Sequence, residues 1–263
     1  MPIEAISANT SLLGLVHIPD TGSPTALAVL IHGAASDSFD GLVWRISREL
    51  AESGIICAAI NLSARSLGRY AGSFHRFSGW PWTATEPMVA EVEAFVRCCA
   101  DRYGGHPALI GHSWGSHLVA LAAGRVTCTH LSLVSPIGSG RSMLEAMFAD
   151  RPQVLDDVTR PRSEVDGNDL VHTGRDNLPF LSAATIRDLH SQPALADLTA
   201  DVSQEIHVFV GDREHESTLR AARDIVAQQP SRRALTSIPG AGHFYRGKES
   251  LLSAALAAPV CQR

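Results

Sequence analysis

The chain alternates short apolar runs with segments that carry apolar residues at helical spacing, and this alternation restricts its fold most. Residues 26–31, 55–62 and 206–210 are apolar on both faces. Such runs are typical of strands inside a parallel sheet that helices cover on both sides. We therefore expect an α/β fold with a mostly parallel sheet flanked by helices.

The pattern predicts eight strands, of which the first two form an antiparallel start. The predicted strands span residues 3–8, 11–18, 26–31, 55–62, 106–110, 131–134, 206–210 and 233–238. The predicted helices span residues 41–53, 85–103, 116–123, 219–228 and 249–257. One domain accommodates all these elements, so we expect residues 1–263 to form a single domain.

Residues 137–204 depart from this alternation. Within them, residues 151–177 are polar, with many Asp and Arg residues and two prolines. One interpretation is a loop with a connecting helix. The other is a small lid over a functional site, because long insertions beside active sites often have that role.

Charge and hydropathy limit the possible partners. The formal net charge of −5 argues against nucleic acid and anionic membranes as general partners. No apolar run approaches the roughly 18 residues of a membrane-spanning helix, and residues 1–5 lack the basic and apolar parts of a signal peptide. We expect a cytoplasmic protein, and the sequence does not predict its oligomeric state.

A G-x-S-x-G sequence at residues 111–115 lies between a predicted strand and a predicted helix. At such a turn the backbone of Ser113 is strained and its hydroxyl is exposed above the end of the sheet, which suits a nucleophile. The flanking glycines are expected where a side chain would clash between strand and helix. The alternative is that Ser113 is an ordinary helix N-cap.

A nucleophilic serine needs a histidine as base and a carboxylate that orients the histidine. His243 follows the last predicted strand after small residues, which distinguishes it among 12 histidines. Asp212 directly follows the strand at 206–210, and the carboxyl ends of parallel strands meet at one edge. Asp212 is therefore the expected acid, although it could instead cap the next helix. The nearby rival acids are Glu214, Glu205 and Asp201.

Four short motifs, each after a predicted strand, resemble those of the α/β-hydrolase superfamily over essentially the whole chain. In chain order they are His32-Gly33, Gly111–Gly115, Gly211-Asp212 and Gly240–His243. The resemblance implies an oxyanion loop, a nucleophile elbow, an acid turn and a histidine loop, with the acid between serine and histidine. Many family members have aspartate where this chain has Asn61, a departure that concerns loop structure rather than catalysis.

The resemblance also implies two backbone N–H donors for an oxyanion. Trp114 follows the nucleophile and supplies one donor, and Ala34 supplies the other, with Ala35 as a substitute. The loop after Leu62 contains three candidate substrate-binding residues, namely Arg65, Trp80 and Trp82. Tryptophans wall apolar pockets and arginines hold anionic groups. The alternative is a solvated loop whose tryptophans pack on the adjacent helix.

These features predict a serine hydrolase that cleaves a carboxylic ester of a small organic substrate through a Ser113–Asp212–His243 triad. A thioesterase, acyltransferase or cyclase acting on a biosynthetic intermediate would use the same residues. A non-catalytic receptor or scaffold with a hydrolase-like fold is the third possibility. We expect no cofactor and no metal, because the chain lacks dinucleotide-binding, P-loop and H-E-x-x-H motifs.

Overall fold

The computed structural model describes residues 1–7, 13–20, 24–34, 36–62, 84–160, 164–167, 169–174 and 180–261. Its strands are β1 (Ile3–Ser7), β2 (Leu13–His17), β3 (Ala26–Ile31), β4 (Ile55–Asn61), β5 (Ala108–His112), β6 (His130–Val134), β7 (Leu170–His172), β8 (Phe180–Ser182), β9 (Glu205–Gly211) and β10 (Arg233–Ile238). Its helices are α1 (Gly41–Glu52), α2 (Thr85–Tyr103), α3 (Trp114–Ala123), α4 (Gly140–Met147), α5 (Pro152–Thr159), α6 (Ala183–Ser191), α7 (Leu195–Ala200), α8 (Glu216–Gln228) and α9 (Glu249–Cys261).

Eight of the strands form one sheet, as the sequence predicts, in the order β1-β2-β4-β3-β5-β6-β9-β10. β2 pairs antiparallel with β1 and with β4, whereas the pairs from β4 through β10 are parallel. The predicted α/β-hydrolase fold with a mostly parallel sheet is confirmed. Because β3, β5, β6, β9 and β10 run in the same direction, the segments that follow them lie at one edge of the sheet.

Helices cover both faces of the sheet, and each face has its own apolar core. On one face, α1 and α9 pack over Leu30, Ile110 and Phe209. On the other face, α2 and α3 pack over Val29, Leu109 and other side chains of the same strands. This two-sided burial explains why the central strands are apolar throughout.

The segment 137–204 contains helices α4 to α7 and the short antiparallel hairpin β7–β8, none of which the apolar pattern predicted in detail. Its buried apolar side chains join the core on the α2–α3 face; they are Leu144, Phe148, Leu155, Val158, Leu181, Ala183, Ile186, Leu189 and Leu195. These elements are short, so each presents too few apolar residues for a periodic pattern to be recognised.

The glycines of the G-x-S-x-G sequence lie where backbones approach closely. A Cβ on Gly111 would collide with the backbone of Gly115 at the start of α3. A Cβ on Gly115 would collide with the backbone of Ile31 at the end of β3. Side chains at these positions would force α3 away from the sheet, so the expected steric reason for the glycines is confirmed.

No helix in the described part of the chain combines the length and the apolar character that crossing a membrane requires.

Candidate active site

Ser113 lies at the turn between β5 and α3 with φ of 54° and ψ of −118°. Positive φ is unfavourable for a non-glycine residue and is characteristic of functional sites. Although Ser113 occupies the N-cap position of α3, its side chain makes no capping hydrogen bond. Its Oγ instead lies 3.1 Å from Nε2 of His243. The local structure therefore presents the hydroxyl to a base, which an ordinary helix cap would not do.

His243 follows β10 and its ring connects Ser113 to a carboxylate. Its Nδ1 lies 3.2 Å from Oε2 of Glu214, whose side chain is only 2% exposed. A carboxylate accepts the Nδ1 proton and leaves Nε2 free to accept the proton of the Ser113 hydroxyl. The structure thus brings together the predicted Ser113 and His243 with a carboxylate from the rival acids.

The expected pairing of His243 with Asp212 is corrected by this geometry. The exposed Asp212 carboxylate accepts a hydrogen bond of 2.8 Å from the backbone N–H of Gly240. The chain then turns back, because the N–H of Arg213 binds the carbonyl of Ala241 and that of Glu214 binds the carbonyl of Gly211. This turn presents Glu214 to His243 and leaves Asp212 to brace the histidine loop.

The other two rival acids lie away from Ser113. Glu205 is exposed at the start of β9, which is the opposite end of that strand from Glu214. Asp201 is exposed at the C-terminal end of α7. The structure places neither carboxylate in contact with His243.

Glu214 is held in its charged form although it is buried. Burial raises the pKa of its carboxyl group, but hydrogen bonds from His243 and Ser135 and the positive charge of a protonated His243 outweigh burial. The net pKa lies below its ordinary value. Glu214 is therefore suited to stabilise a protonated His243.

His112 lies beneath the histidine loop and supports it. Its Nε2–H donates a hydrogen bond of 3.0 Å to the carbonyl of His243. Burial, followed by the proximity of His243, lowers the pKa of His112 to about 4. His112 thus stays neutral near pH 7 and does not compete with His243 for a proton.

The turn after β3 lies against Ser113. A Cβ on Gly33 would be 3.1 Å from Cβ of Ser113, and the partly buried Ala34 follows directly. Two side chains connect this turn to the end of β4. Nε2 of His32 accepts from the N–H of Leu62 at 3.3 Å, and Oδ1 of Asn61 accepts from the N–H of Ser38 at 2.8 Å. Of the two residues expected to donate to an oxyanion, Trp114 directly follows Ser113, and Ala34 directly follows Gly33, which lies against Ser113.

The side chain of Trp114 is buried in the core and stacks on the buried ring of His117, with centroids 4.6 Å apart. His117 donates through Nε2 to the carbonyl of Pro193 at 3.2 Å, and burial lowers its pKa to about 4. These contacts connect the start of α3 to the loop between α6 and α7. The contacts of His117 are those of a histidine with a structural role.

Arg65, Trp80 and Trp82, and the substitute donor Ala35, lie outside the described residues. The sequence analysis missed two residues near Glu214. Ser135 contacts Glu214 directly, and Tyr245 contacts Ser135. Ser135 directly follows β6, as the other site residues follow their strands, and this position was the signal that could have identified it. Tyr245 had no comparable signal.

Among the residues that the structure describes, no three His, Cys, Asp or Glu side chains form a group that could hold a metal ion. The polar side chains beside Ser113 are instead linked to one another, from Ser113 through His243 to Glu214, and His112 binds the backbone carbonyl of His243.

A mostly parallel sheet with a strained serine between strand and helix, and a histidine after the last strand, is the architecture of the α/β hydrolases. The sequence model of the alpha/beta hydrolase family matches residues 28–249. The chain belongs to this family. A comparison with curated proteins finds no match.

Solved structures with the same fold include esterases and a lipase. Est1E from Butyrivibrio proteoclasticus is 16% identical with a TM-score of 0.67, and the match covers 97% of this chain and 96% of that one. A second structure of Est1E, with bound ferulic acid, is 17% identical with a TM-score of 0.69 and the same coverage. Monoglyceride lipase from Saccharomyces cerevisiae is 12% identical with a TM-score of 0.75, covering 98% of this chain and 94% of that one. At these identities the likeness concerns the fold.

Proposed function

We propose that this protein is a serine hydrolase that cleaves a carboxylic ester of a small organic substrate, with Glu214 rather than Asp212 as the acid of its triad. The observation that carries the proposal is the continuous chain of hydrogen-bonding distances at the carboxyl edge of the sheet. Ser113 Oγ lies 3.1 Å from His243 Nε2, and His243 Nδ1 lies 3.2 Å from Glu214 Oε2. These distances suit proton transfer from a serine to a histidine base.

In the proposed acylation step, Ser113 Oγ attacks the ester carbonyl while His243 takes the hydroxyl proton. The backbone N–H groups of Ala34 and Trp114 donate to the oxyanion of the tetrahedral intermediate. His243 then gives the proton to the departing alcohol oxygen, and the acyl group stays on Ser113. Glu214 stabilises the imidazolium while it exists and remains ionised throughout.

In the proposed deacylation step, a water molecule replaces the alcohol beside His243. His243 takes a proton from this water, the hydroxide attacks the acyl-enzyme, and Ser113 recovers its proton when the acid leaves. The reaction balances with ester and water alone, so no cofactor is part of the proposal. The cytoplasmic location and the lid role of residues 137–204 stay separate predictions, and the proposed reaction does not depend on them.

The test measures the hydrolysis of p-nitrophenyl esters of increasing chain length, methyl ferulate and a monoacylglycerol. The last two substrates represent the ligand class of Est1E and the class of the yeast lipase. We expect wild type to turn over at least one ester and Ser113→Ala to lose at least about a thousandfold in kcat. Ser132→Ala is the matched control, because Ser132 is buried in β6 and its Oγ has no hydrogen-bond partner in the described part of the chain.

Two results would contradict the proposal. Equal turnover by wild type and Ser113→Ala would exclude the serine mechanism. Wild type that hydrolyses none of the esters, and that a fluorophosphonate does not label at Ser113, would favour the non-catalytic alternative. Product analysis with an added alcohol or thiol separates hydrolysis from acyl transfer.

A further inference from the structure

A second, buried chain of hydrogen bonds leads away from Glu214. The Oε1 atom of Glu214, which does not face His243, accepts from the hydroxyl of Ser135. Ser135 Oγ also lies 2.8 Å from the hydroxyl of Tyr245, which lies 3.2 Å from the carbonyl of Phe209. Ser135 and Tyr245 are fully buried. The two carboxylate oxygens of Glu214 therefore have separate partners.

Counting the available protons shows which group donates and which accepts in each of these hydrogen bonds. An ionised carboxylate only accepts hydrogen bonds, so the single hydroxyl proton of Ser135 is directed at Glu214. The contact between the two hydroxyls then needs the proton of Tyr245. The carbonyl of Phe209 already accepts from the backbone N–H of Ser135 at 2.8 Å, so it does not depend on the phenol. Tyr245 thus donates to Ser135, and Ser135 donates to Glu214.

We propose that Ser135 and Tyr245 are positioning residues that fix the rotation of the Glu214 carboxylate so that Oε2 faces His243. This inference rests on the proposed function and adds to it. A glutamate has one more rotatable bond than the expected aspartate, and the terminal rotation of its carboxylate is broad. A second anchor on Oε1 removes this freedom and keeps the Nδ1 bond of His243 in place.

The backbone at both residues supports this role. φ is 45° at Ser135 and 49° at Tyr245, both in the left-handed region that favours glycine. Non-glycine residues there cost free energy and persist where the surrounding structure requires their side chains. At these two positions glycine would relieve the backbone but would remove the hydroxyls that reach toward Glu214.

The groups that face Glu214 also determine how loss of the hydrogen bonds from Ser135 and Tyr245 would affect the reaction. They are His243, His112, Ser135 and Tyr245. Without the Ser135 hydroxyl, one of the hydrogen bonds that lower the pKa of Glu214 is lost, and burial continues to raise that pKa. The carboxyl group then binds a proton at higher pH, and a neutral Glu214 stabilises an imidazolium poorly. The acid limb of activity should therefore move to higher pH.

The test compares Ser135→Gly, Ser135→Ala and Tyr245→Phe with wild type in full kcat and KM profiles against pH. Glycine removes the hydroxyl and fits the positive φ, so it separates the hydroxyl from backbone strain. Tyr103→Phe is the control for the tyrosine, because Tyr103 donates to Glu4 far from the site. Ser132→Ala, in β6 just before Ser135, is the control for the serine.

We expect both Ser135 variants to lose roughly tenfold to a hundredfold in kcat with KM nearly unchanged, because a hydrogen bond to a charged group is lost. Their acid limbs should shift to higher pH. Tyr245→Phe should lower kcat and shift the acid limb in the same direction, but by less than the Ser135 variants do. The two controls should match wild type.

A second readout does not depend on turnover. The proton between His243 Nδ1 and Glu214 should give a far-downfield NMR resonance in wild type and the controls, which broadens or disappears in the Ser135 variants. Unchanged resonance and unchanged acid limb in Ser135→Gly would overturn the inference even if kcat fell. If wild type hydrolyses no ester and a fluorophosphonate does not label Ser113, the proposed function fails, whereas the resonance still decides the positioning role.

Discussion

At the scale of single residues, the carboxylate that contacts His243 lies two residues beyond the position where the sequence indicates it. Asp212 follows β9 directly, yet its carboxylate binds the N–H of Gly240, and Glu214 reaches His243. The turn after Gly211 presents Glu214 to His243. Which carboxylate contacts His243 is thus set by a turn as well as by a strand end.

Replacing each carboxylate by its amide separates the two residues. Glu214→Gln should lower kcat by roughly a thousandfold or more, because an amide does not stabilise the imidazolium and favours the wrong tautomer. Asp212→Asn keeps an oxygen that accepts from Gly240 and should change kcat by less than about threefold. Steady-state ester hydrolysis measures both. A larger loss in Asp212→Asn than in Glu214→Gln would restore Asp212 as the acid.

That Ser113 and His243 lie close together was predictable, because Ser113 directly follows β5 and His243 lies in the loop after β10. The ends of parallel strands fix positions at one edge of the sheet. The choice between Asp212 and Glu214 was not predictable in this way. It depends on hydrogen bonds between residues about 30 positions apart, such as that from Arg213 to Ala241. Local sequence carries no signal for such a tertiary turn.

At the scale of elements, the turn after β3 is attached to the end of β4. Asn61 accepts from the N–H of Ser38, and His32 accepts from that of Leu62. These contacts hold the backbone that contains Ala34 beside Ser113. The departure of Asn61 from the aspartate of many family members leaves this acceptor in place, as expected for a change that concerns loop structure.

Removing the Asn61 acceptor should therefore affect catalysis through the loop. Asn61→Ala should lower kcat by about tenfold, because the loss of one buried hydrogen bond loosens the turn that holds the proposed oxyanion donor Ala34. Asn61→Asp retains an acceptor for Ser38 and is the matched control, with kcat close to wild type. Saturation kinetics on one ester measure both variants. Equal kcat in the two variants would show that the turn does not need this contact.

The strands were predictable as elements because two-sided burial makes them continuously apolar. The helices α4 to α7 were not, because each is short and covers the core with few side chains. Helix α8 begins at Glu216, earlier than predicted, because its first turn is polar and is capped by the side chain of His215. Helix starts of this kind lack the apolar spacing on which the prediction depends.

At the scale of the whole molecule, three buried histidines link stability to pH. Burial lowers the pKa of His112, His117 and His130 to about 4, with His243 and His207 adding to the effect at His112 and His130. In the unfolded chain these side chains would bind protons near pH 6.5. Below that pH the unfolded state therefore binds more protons than the folded state.

The free energy of unfolding should accordingly be highest above about pH 6.5 and fall as the pH approaches 4. Each histidine contributes up to about 1.4 kcal/mol per pH unit within that range. Urea unfolding between pH 4 and pH 8 measures the slope, which His117→Gln and His130→Gln should each reduce. Ser132→Ala removes no titratable group and should keep the slope of wild type. A flat profile in wild type would show that these rings are protonated in the folded state.

The strained backbone of Ser113 has a consequence for anyone who evolves this protein in the laboratory. With φ of 54° and ψ of −118°, the backbone at position 113 would be less strained with glycine than with serine. Serine there costs on the order of 1–3 kcal/mol of folding free energy. A library selected only for heat resistance would therefore enrich glycine at position 113 and yield stable proteins that lack the proposed nucleophile. Selection for durability must be coupled to turnover in every round.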